Sequence, residues 1–96
     1  MSTASARHIL VEDESICNQI KDQINKGDMS FEEAASKYSE CPSGNNGGEL
    51  GSFGKGQMVK EFEDVVFKEA VHVVHGPVKT DFGYHLIEIT SREENA

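Results

Sequence analysis

Hydrophobic residues alternate with polar ones in two short stretches, near the start and near the end of the chain. Residues 7–11 and 84–90 are rich in β-branched side chains and bounded by polar residues, so each is predicted to be a strand. Because side chains alternate across a strand, one face of the second strand holds His85, Ile87 and Ile89. Residues 49–51 predict a further, very short strand.

Three other stretches carry the helical repeat. Residues 13–26 contain isoleucine at every fourth position, which predicts one apolar stripe made of Ile16, Ile20 and Ile24. Ser30 and Glu33 have the spacing of a capping box, which predicts the start of a second helix. Residues 59–69 predict a third helix, in which Phe62 points inward.

Glycine and proline separate these elements. Six of the nine glycines lie in residues 43–56, where they let the backbone turn tightly or approach another segment closely. Gly76-Pro77 predicts a turn, His72 and His75 are expected to be solvated residues of a connection, and residues 91–96 are expected to fray. The order of elements indicates an α+β fold, with helices around a small sheet.

The length of the chain limits the number of domains, and its charge argues against some kinds of binding partner. A chain of 96 residues fits one domain, so residues 1–96 are predicted to form a single domain. The formal net charge of −8 argues against nucleic acid, which is bound by clustered lysine and arginine, and against an anionic membrane surface. No apolar run approaches the ~20 residues that span a bilayer, so no membrane insertion is expected.

Cysteine usage indicates the compartment. Cys17 and Cys41 are too few for a disulfide framework, and the first residues show no pattern of a signal peptide. A reducing cytoplasm is therefore the expected location. Nothing in the sequence indicates an assembly, so a monomer is expected.

Three residues could in principle hold zinc, namely His8, Cys41 and His85. They include no closely spaced pair of ligands, so no metal site is predicted. Residues 51–56 lack the gap and the hydroxyl residue of a phosphate loop, so no cofactor is predicted either. A thiol hydrolase or redox protein stays an alternative, because Cys41 could be activated by one of the histidines.

Several segments together resemble the parvulin family. They occur in the family's order with compatible spacing and cover about residues 6–92: Arg-His-Ile-Leu-Val at 7–11, Ser-Glu-Cys-Pro-Ser-Gly at 39–44, Gly-Gly-Glu-Leu-Gly-Ser-Phe at 47–53, Gly-Gln-Met-Val-Lys-Glu-Phe at 56–62, and Gly-Pro-Val-Lys-Thr-Asp-Phe-Gly-Tyr-His-Leu-Ile at 76–87. The resemblance implies a four-stranded antiparallel sheet surrounded by about four helices. It also implies peptidyl-prolyl cis/trans isomerase activity on X-Pro bonds.

The resemblance also implies a role for each site residue. The catalytic network would consist of His8, Cys41, Thr80 and His85. The apolar pocket for the substrate proline ring would consist of Leu50, Met58 and Phe62, with Phe53 in the pocket wall or the core behind it. Some family members have aspartate in place of Cys41, which favours an electrostatic or hydrogen-bonding role over covalent attack, although both stay possible.

Two departures from the family pattern matter. Glu61 stands where many members have proline, which could shift the start of the third helix. Residues 12–14 are short and acidic where phosphate-specific members carry a basic loop, and they would repel a phosphate. We therefore expect phosphate-independent activity on proline-containing peptides and on unfolded or nascent proteins. The alternative is a binding module with chaperone activity and little catalysis.

Overall fold

A four-stranded antiparallel sheet forms the centre of the computed structural model, which describes residues 3–93. The strands lie side by side in the order β2-β1-β4-β3. The elements along the chain are β1 (Thr3–Val11), α1 (Glu14–Asn25), α2 (Phe31–Tyr38), a 3₁₀ helix (Pro42–Asn46), β2 (Glu49–Gly54), α3 (Lys60–Val66), β3 (Val74–Thr80) and β4 (Gly83–Glu93). The α+β fold class is confirmed, and residues 3–93 contain four helical segments when the 3₁₀ helix is counted.

Both faces of the sheet are covered, because each central strand carries apolar side chains on both faces. Ile9 and Leu86 lie with α1 and α2 on one face, whereas Ile87 and Ile89 lie with α3 on the other. All four side chains are completely buried. Burial of such a side chain stabilises the fold by about 1.5–3 kcal/mol. The second face, between β1, β4 and α3, also carries the functional site.

The helix starts follow the local sequence. Asp13 caps α1 by accepting a hydrogen bond from the backbone N–H of Ser15 at 2.8 Å. The predicted capping box of α2 is confirmed, because the Ser30 hydroxyl accepts from the Glu33 N–H while the Glu33 carboxylate accepts from the Ser30 N–H. Each cap contributes about 0.5–2 kcal/mol.

The predicted apolar stripe of α1 is wrong at its first position. Ile16 is 43% exposed, and Cys17 is completely buried in its place beside Ile20. Side chains four residues apart drift by about 40° per step around a helix of 3.6 residues per turn. The apolar stripe therefore runs through buried Cys17 and Ile20 to partly buried Ile24, while Ile16 lies outside it.

The predicted turn at Gly76-Pro77 is also wrong, because both residues lie inside β3. The register between β3 and β4 shifts between His75 and Val78, so the strand bulges around the proline. β3 is an edge strand, where a residue without an N–H is tolerated. A Cβ on Gly76 would lie 2.5 Å from the His85 carbonyl oxygen, so only glycine fits there.

Other element boundaries also differ from the prediction. Residues 91–93 belong to β4 and do not fray, because they pair with the first residues of β1; residues 94–96 lie outside the described part of the chain. β2 continues to Gly54, and α3 is shorter than predicted. His75 lies in β3 with its Nε2 atom 2.8 Å from the Ala70 carbonyl, whereas His72 lies in the connection before it.

Candidate active site

A cavity of about 440 Å³ opens between α3, the end of β1 and the turn between β3 and β4. Its walls are mostly apolar. The three residues predicted to hold a proline ring all line it, as do three of the four residues predicted to form the catalytic network: Leu50, Met58, Phe62, His8, Cys41 and His85. The fourth predicted residue, Thr80, is buried behind His85.

The apolar wall is built from elements that are far apart in the sequence. Leu50 comes from β2, Met58 precedes α3, and Phe62 lies on the buried face of α3. Phe53 is core and does not line the cavity; its ring supports Phe62 edge-on at 6.2 Å between centroids. Phe62 is 3% exposed and packs against Phe53 behind the cavity, so the core fixes the position of this part of the wall.

Phe82 is a cavity residue that we did not predict. It lies in the turn between β3 and β4, lines the cavity and is 67% exposed. An aromatic ring this exposed offers apolar surface that a ligand could cover. The sequence signal was a phenylalanine in a tight Asp-Phe-Gly turn, but such a turn does not by itself show which way the ring points.

Two buried histidines form the floor of the cavity. The antiparallel register places His8 opposite Ile87 and Leu10 opposite His85, so the histidines are diagonal neighbours on β1 and β4. Their Nδ1 atoms are 3.0 Å apart and the rings are nearly parallel. The Phe62 ring meets both of them edge-on, at 5.6 and 5.8 Å between centroids.

The histidine pair is the middle of a longer chain of hydrogen bonds. At one end, the His85 Nε2 atom lies 2.8 Å from Thr80 Oγ1, which also accepts the Phe82 N–H. At the other end, His8 Nε2 lies 3.2 Å from the Ser43 hydroxyl, which donates to Cys41 Sγ at 3.3 Å. The four predicted catalytic residues are thus brought together, and Ser43, which we did not predict, connects two of them.

One arrangement of protons gives every O–H and N–H donor of this series an acceptor, and it leaves without one only the weak S–H donor of Cys41, which lines the cavity. The Thr80 hydroxyl donates to His85 Nε2, and His85 Nδ1–H donates to His8 Nδ1. His8 Nε2–H then donates to Ser43, whose hydroxyl donates to Cys41. In the reverse arrangement the Thr80 proton would have no acceptor within residues 3–93. In this series, each hydrogen bond is therefore donated in the direction that leads from Thr80 to the Cys41 sulfur.

Burial keeps both imidazoles neutral at physiological pH. Desolvation lowers the pKa of His8 to about 4, with a further contribution from the neighbouring His85. Burial also lowers the pKa of His85. The short contact between the Nδ1 atoms requires one donor and one acceptor, so a proton on the acceptor, His8 Nδ1, would break it. A proton on His85 Nε2 would instead remove the acceptor of the Thr80 hydroxyl.

The position of Ser43 and Cys41 depends on a close backbone contact. The His8 N–H donates to the Gly48 carbonyl at 3.0 Å, and the Gly48 N–H donates to the Ser43 carbonyl at 2.8 Å. Gly48 has a φ of +84°, and a Cβ there would lie 2.4 Å from the His8 carbonyl oxygen. Glycine at this position therefore lets the 3₁₀ helix lie against β1.

The two cysteines differ in their surroundings. Burial raises the pKa of Cys17 to about 11, so this thiol is inert, whereas Cys41 is half-buried at the cavity wall. Ser43 stands between Cys41 and His8, so the sulfur has no hydrogen bond to a histidine in the described part of the chain. This geometry weakens the thiol-hydrolase alternative, which needs a base in contact with the sulfur.

Residues 3–93 contain no group of three or more histidine, cysteine or acidic side chains arranged to hold a metal ion. Within the same residues, no helix is long and apolar enough to cross a membrane.

Comparison with known proteins identifies the family. The model of the PPIC-type PPIase domain, the rotamase family, matches residues 8–91. The chain belongs to this family. PPIase here means peptidyl-prolyl cis/trans isomerase, so the resemblance to parvulins found in the sequence is confirmed.

Sequence relatives and solved structures support the same family assignment. The foldase protein PrsA of Geobacillus sp. (strain WCH70) is 52% identical over 90 residues, which are 93% of this chain and 32% of the relative. The crystal structure of the peptidylprolyl isomerase PrsA from Bacillus anthracis superimposes with a TM-score of 0.92 at 37% identity, covering 97% of this chain and 43% of that one. The chain thus spans about a third of the length of this curated relative.

A second similar structure is that of a SurA-like chaperone of Campylobacter jejuni, one of the pair PEB4 and the periplasmic protein Cj1289. It superimposes with a TM-score of 0.88 at 36% identity and covers 96% of this chain and 39% of that one.

Proposed function

We propose that this PPIase domain isomerises X-Pro bonds in proline-containing peptides and unfolded proteins without requiring a phosphate group. The observation that carries the proposal is the cavity itself. An apolar wall of Leu50, Met58 and Phe62 adjoins a polar floor in which the hydrogen-bonded histidine pair leads to Cys41. A proline ring against the wall would hold its own preceding carbonyl over that floor.

The arrangement suits a reaction in which no bond is made or broken. Rotation about a peptide bond has a barrier of about 18–20 kcal/mol, because resonance makes the C–N bond partly double. A catalyst need only bind the twisted state better than the planar isomers. The apolar wall fixes the proline ring while the preceding carbonyl rotates, and it excludes water that stabilises the more polar planar amide.

Cys41 has an electrostatic or hydrogen-bonding role in this proposal. Its sulfur accepts the Ser43 hydroxyl and is separated from His8 by that residue. We expect Cys41→Ala to lower kcat/KM by roughly tenfold or more, and Cys41→Asp to keep much more activity because a carboxylate can accept the same hydrogen bond. If both variants were equally inactive while folded, a covalent role would be favoured instead.

Phosphate independence is supported by the charges around the cavity. Among residues 3–93, no lysine or arginine lines it, and the single acidic lining residue is Glu40. The nearby connection between β1 and α1 carries Glu12 and Asp13. A phosphoserine or phosphothreonine before the proline would meet only like charge there.

The deciding experiment is cis-to-trans relaxation of X-Pro tetrapeptides near 10 °C, where the uncatalysed reaction takes minutes. We expect acceleration of peptides with neutral X and little acceleration of the phosphoserine peptide. A preference for phosphoserine would contradict the phosphate argument alone. No acceleration of any peptide would contradict the isomerase proposal.

Binding without efficient catalysis is a second candidate function. Val59 and Phe82 line the cavity and are both exposed, so they extend its apolar surface toward solvent, where an unfolded chain could bind. A similar structure is described as that of SurA-like chaperones. Suppression of aggregation that survives Cys41→Ala but is lost in Phe82→Ser would support this candidate.

The monomeric state and the cytoplasmic location stay predictions. Sedimentation would test the first, and cell fractionation would test the second.

A further inference from the structure

Glu40 stands apart from the other residues of the cavity wall. Of the described residues that line the cavity, it is the only acidic one, and none of them is a lysine or arginine that could neutralise it. No lysine or arginine forms a salt bridge with Glu40 in the part of the chain that the structure describes. The wall therefore presents one uncompensated negative charge beside apolar side chains.

Two hydrogen bonds hold Glu40 in place. Its backbone N–H donates to the Leu10 carbonyl at 2.8 Å, and its carboxylate accepts the Glu12 N–H at 3.2 Å. Both partners lie at the end of β1, which is a central strand of the sheet. The carboxylate is thus tied to a rigid element, and a fixed charge discriminates between ligands better than a mobile one.

The position of Glu40 relates it to one part of the substrate. In the proposed function the proline ring lies against Leu50, Met58 and Phe62, and the preceding carbonyl faces Cys41. Glu40 and Cys41 are neighbours in the chain and both line the cavity, so Glu40 lies at the part of the wall where this pose places the residue before proline. We propose that the Glu40 carboxylate selects substrates with lysine or arginine immediately before the proline.

This specificity rests on the proposed isomerase function, and the assay must separate the two. We would measure kcat/KM for three tetrapeptides that differ only at the residue before proline: lysine, norleucine and glutamate. Norleucine has the same carbon side chain as lysine but lacks its charged ammonium group. The wild-type protein should prefer lysine over norleucine by roughly two- to fivefold, as a partly exposed ion pair allows. Glutamate should be the poorest substrate.

Variants test whether Glu40 causes the preference. Glu40→Gln keeps an oxygen that can accept the Glu12 N–H, and it should bring the lysine-to-norleucine ratio close to one. Glu40→Lys should invert the ratio of lysine to glutamate. Asp22→Asn is the matched control, because it removes one negative charge from an exposed position of α1 that does not line the cavity. It should keep the wild-type ratios.

The ratio within each protein cancels any general loss of activity, and circular dichroism checks the fold of each variant. Raising the salt concentration from about 0.02 M to about 0.5 M should lower the wild-type ratio, a test that needs no variant. Equal acceleration of all three peptides, or a preference that persists in Glu40→Gln or in high salt, would refute the proposed role of Glu40. Neither result would contradict the isomerase function. Acceleration of none would refute the isomerase function itself.

Discussion

Acidification should destabilise this domain through His8. Its pKa is lowered from 6.5 to about 4 in the folded state, because burial disfavours the charged imidazole. Between these two values the unfolded chain binds a proton that the folded protein does not. The contribution of neutral His8 to the free energy of unfolding is therefore fully present above pH 6.5. It is lost as the pH falls toward and through the folded-state pKa of about 4.

The size of the effect follows from the same two values. Linkage gives a loss of about 2 kcal/mol between pH 7 and pH 5, with a slope of about 1.2 kcal/mol per pH unit near pH 5. Small domains are stable by only about 5–15 kcal/mol, so this loss is readily measured. Carboxylates also titrate in this range, so the contribution of His8 must be isolated by comparison with a variant.

The assay is urea unfolding at several pH values for the wild type and His8→Gln. Glutamine cannot titrate, so the pH slope of its unfolding free energy should be smaller by about 1.2 kcal/mol per pH unit near pH 5. His72→Asn is the control: it removes an exposed imidazole, and asparagine tolerates the positive φ of 64° at that position. Equal slopes for the wild type and His8→Gln would refute the reasoning.

Three further predictions test other parts of the site and the fold. Ser43→Ala should lower kcat/KM by roughly fivefold or more, because His8 Nε2–H loses its acceptor, whereas Ser52→Ala on the exposed part of β2 should not. In urea unfolding, Gly48→Ala should cost about 3 kcal/mol or more because its Cβ would strike the His8 carbonyl, and Gly56→Ala, with a similar φ but open space, about 1 kcal/mol. Thermal unfolding should show a cost of about 2–5 kcal/mol for Ile20→Ala and much less for exposed Ile16→Ala; equal costs would contradict the corrected stripe.

Local patterns sufficed for the features that depend on neighbouring residues. The capping box of Ser30 and Glu33 acts over three residues, so its spacing alone predicted the start of α2. Strand alternation placed His85 on the face of Ile87 and Ile89, where it lies. Resemblance to a family then assembled His8, Cys41, Thr80 and His85 into one site, which spacing could not have done.

The missed features all depend on contacts between distant segments. Ser43 became part of the site only because the 3₁₀ helix lies against β1, more than thirty residues away in the chain. Gly76-Pro77 has the local signal of a turn, yet pairing with β4 placed it in an edge strand. By itself, the sequence determined the helix starts, the strand faces and the family, because these depend on short spacings. The tertiary structure decided the hydrogen bonds that link the histidines to Cys41, the place of Phe82 at the cavity and the position of Glu40. Each of these features requires the sheet to be assembled.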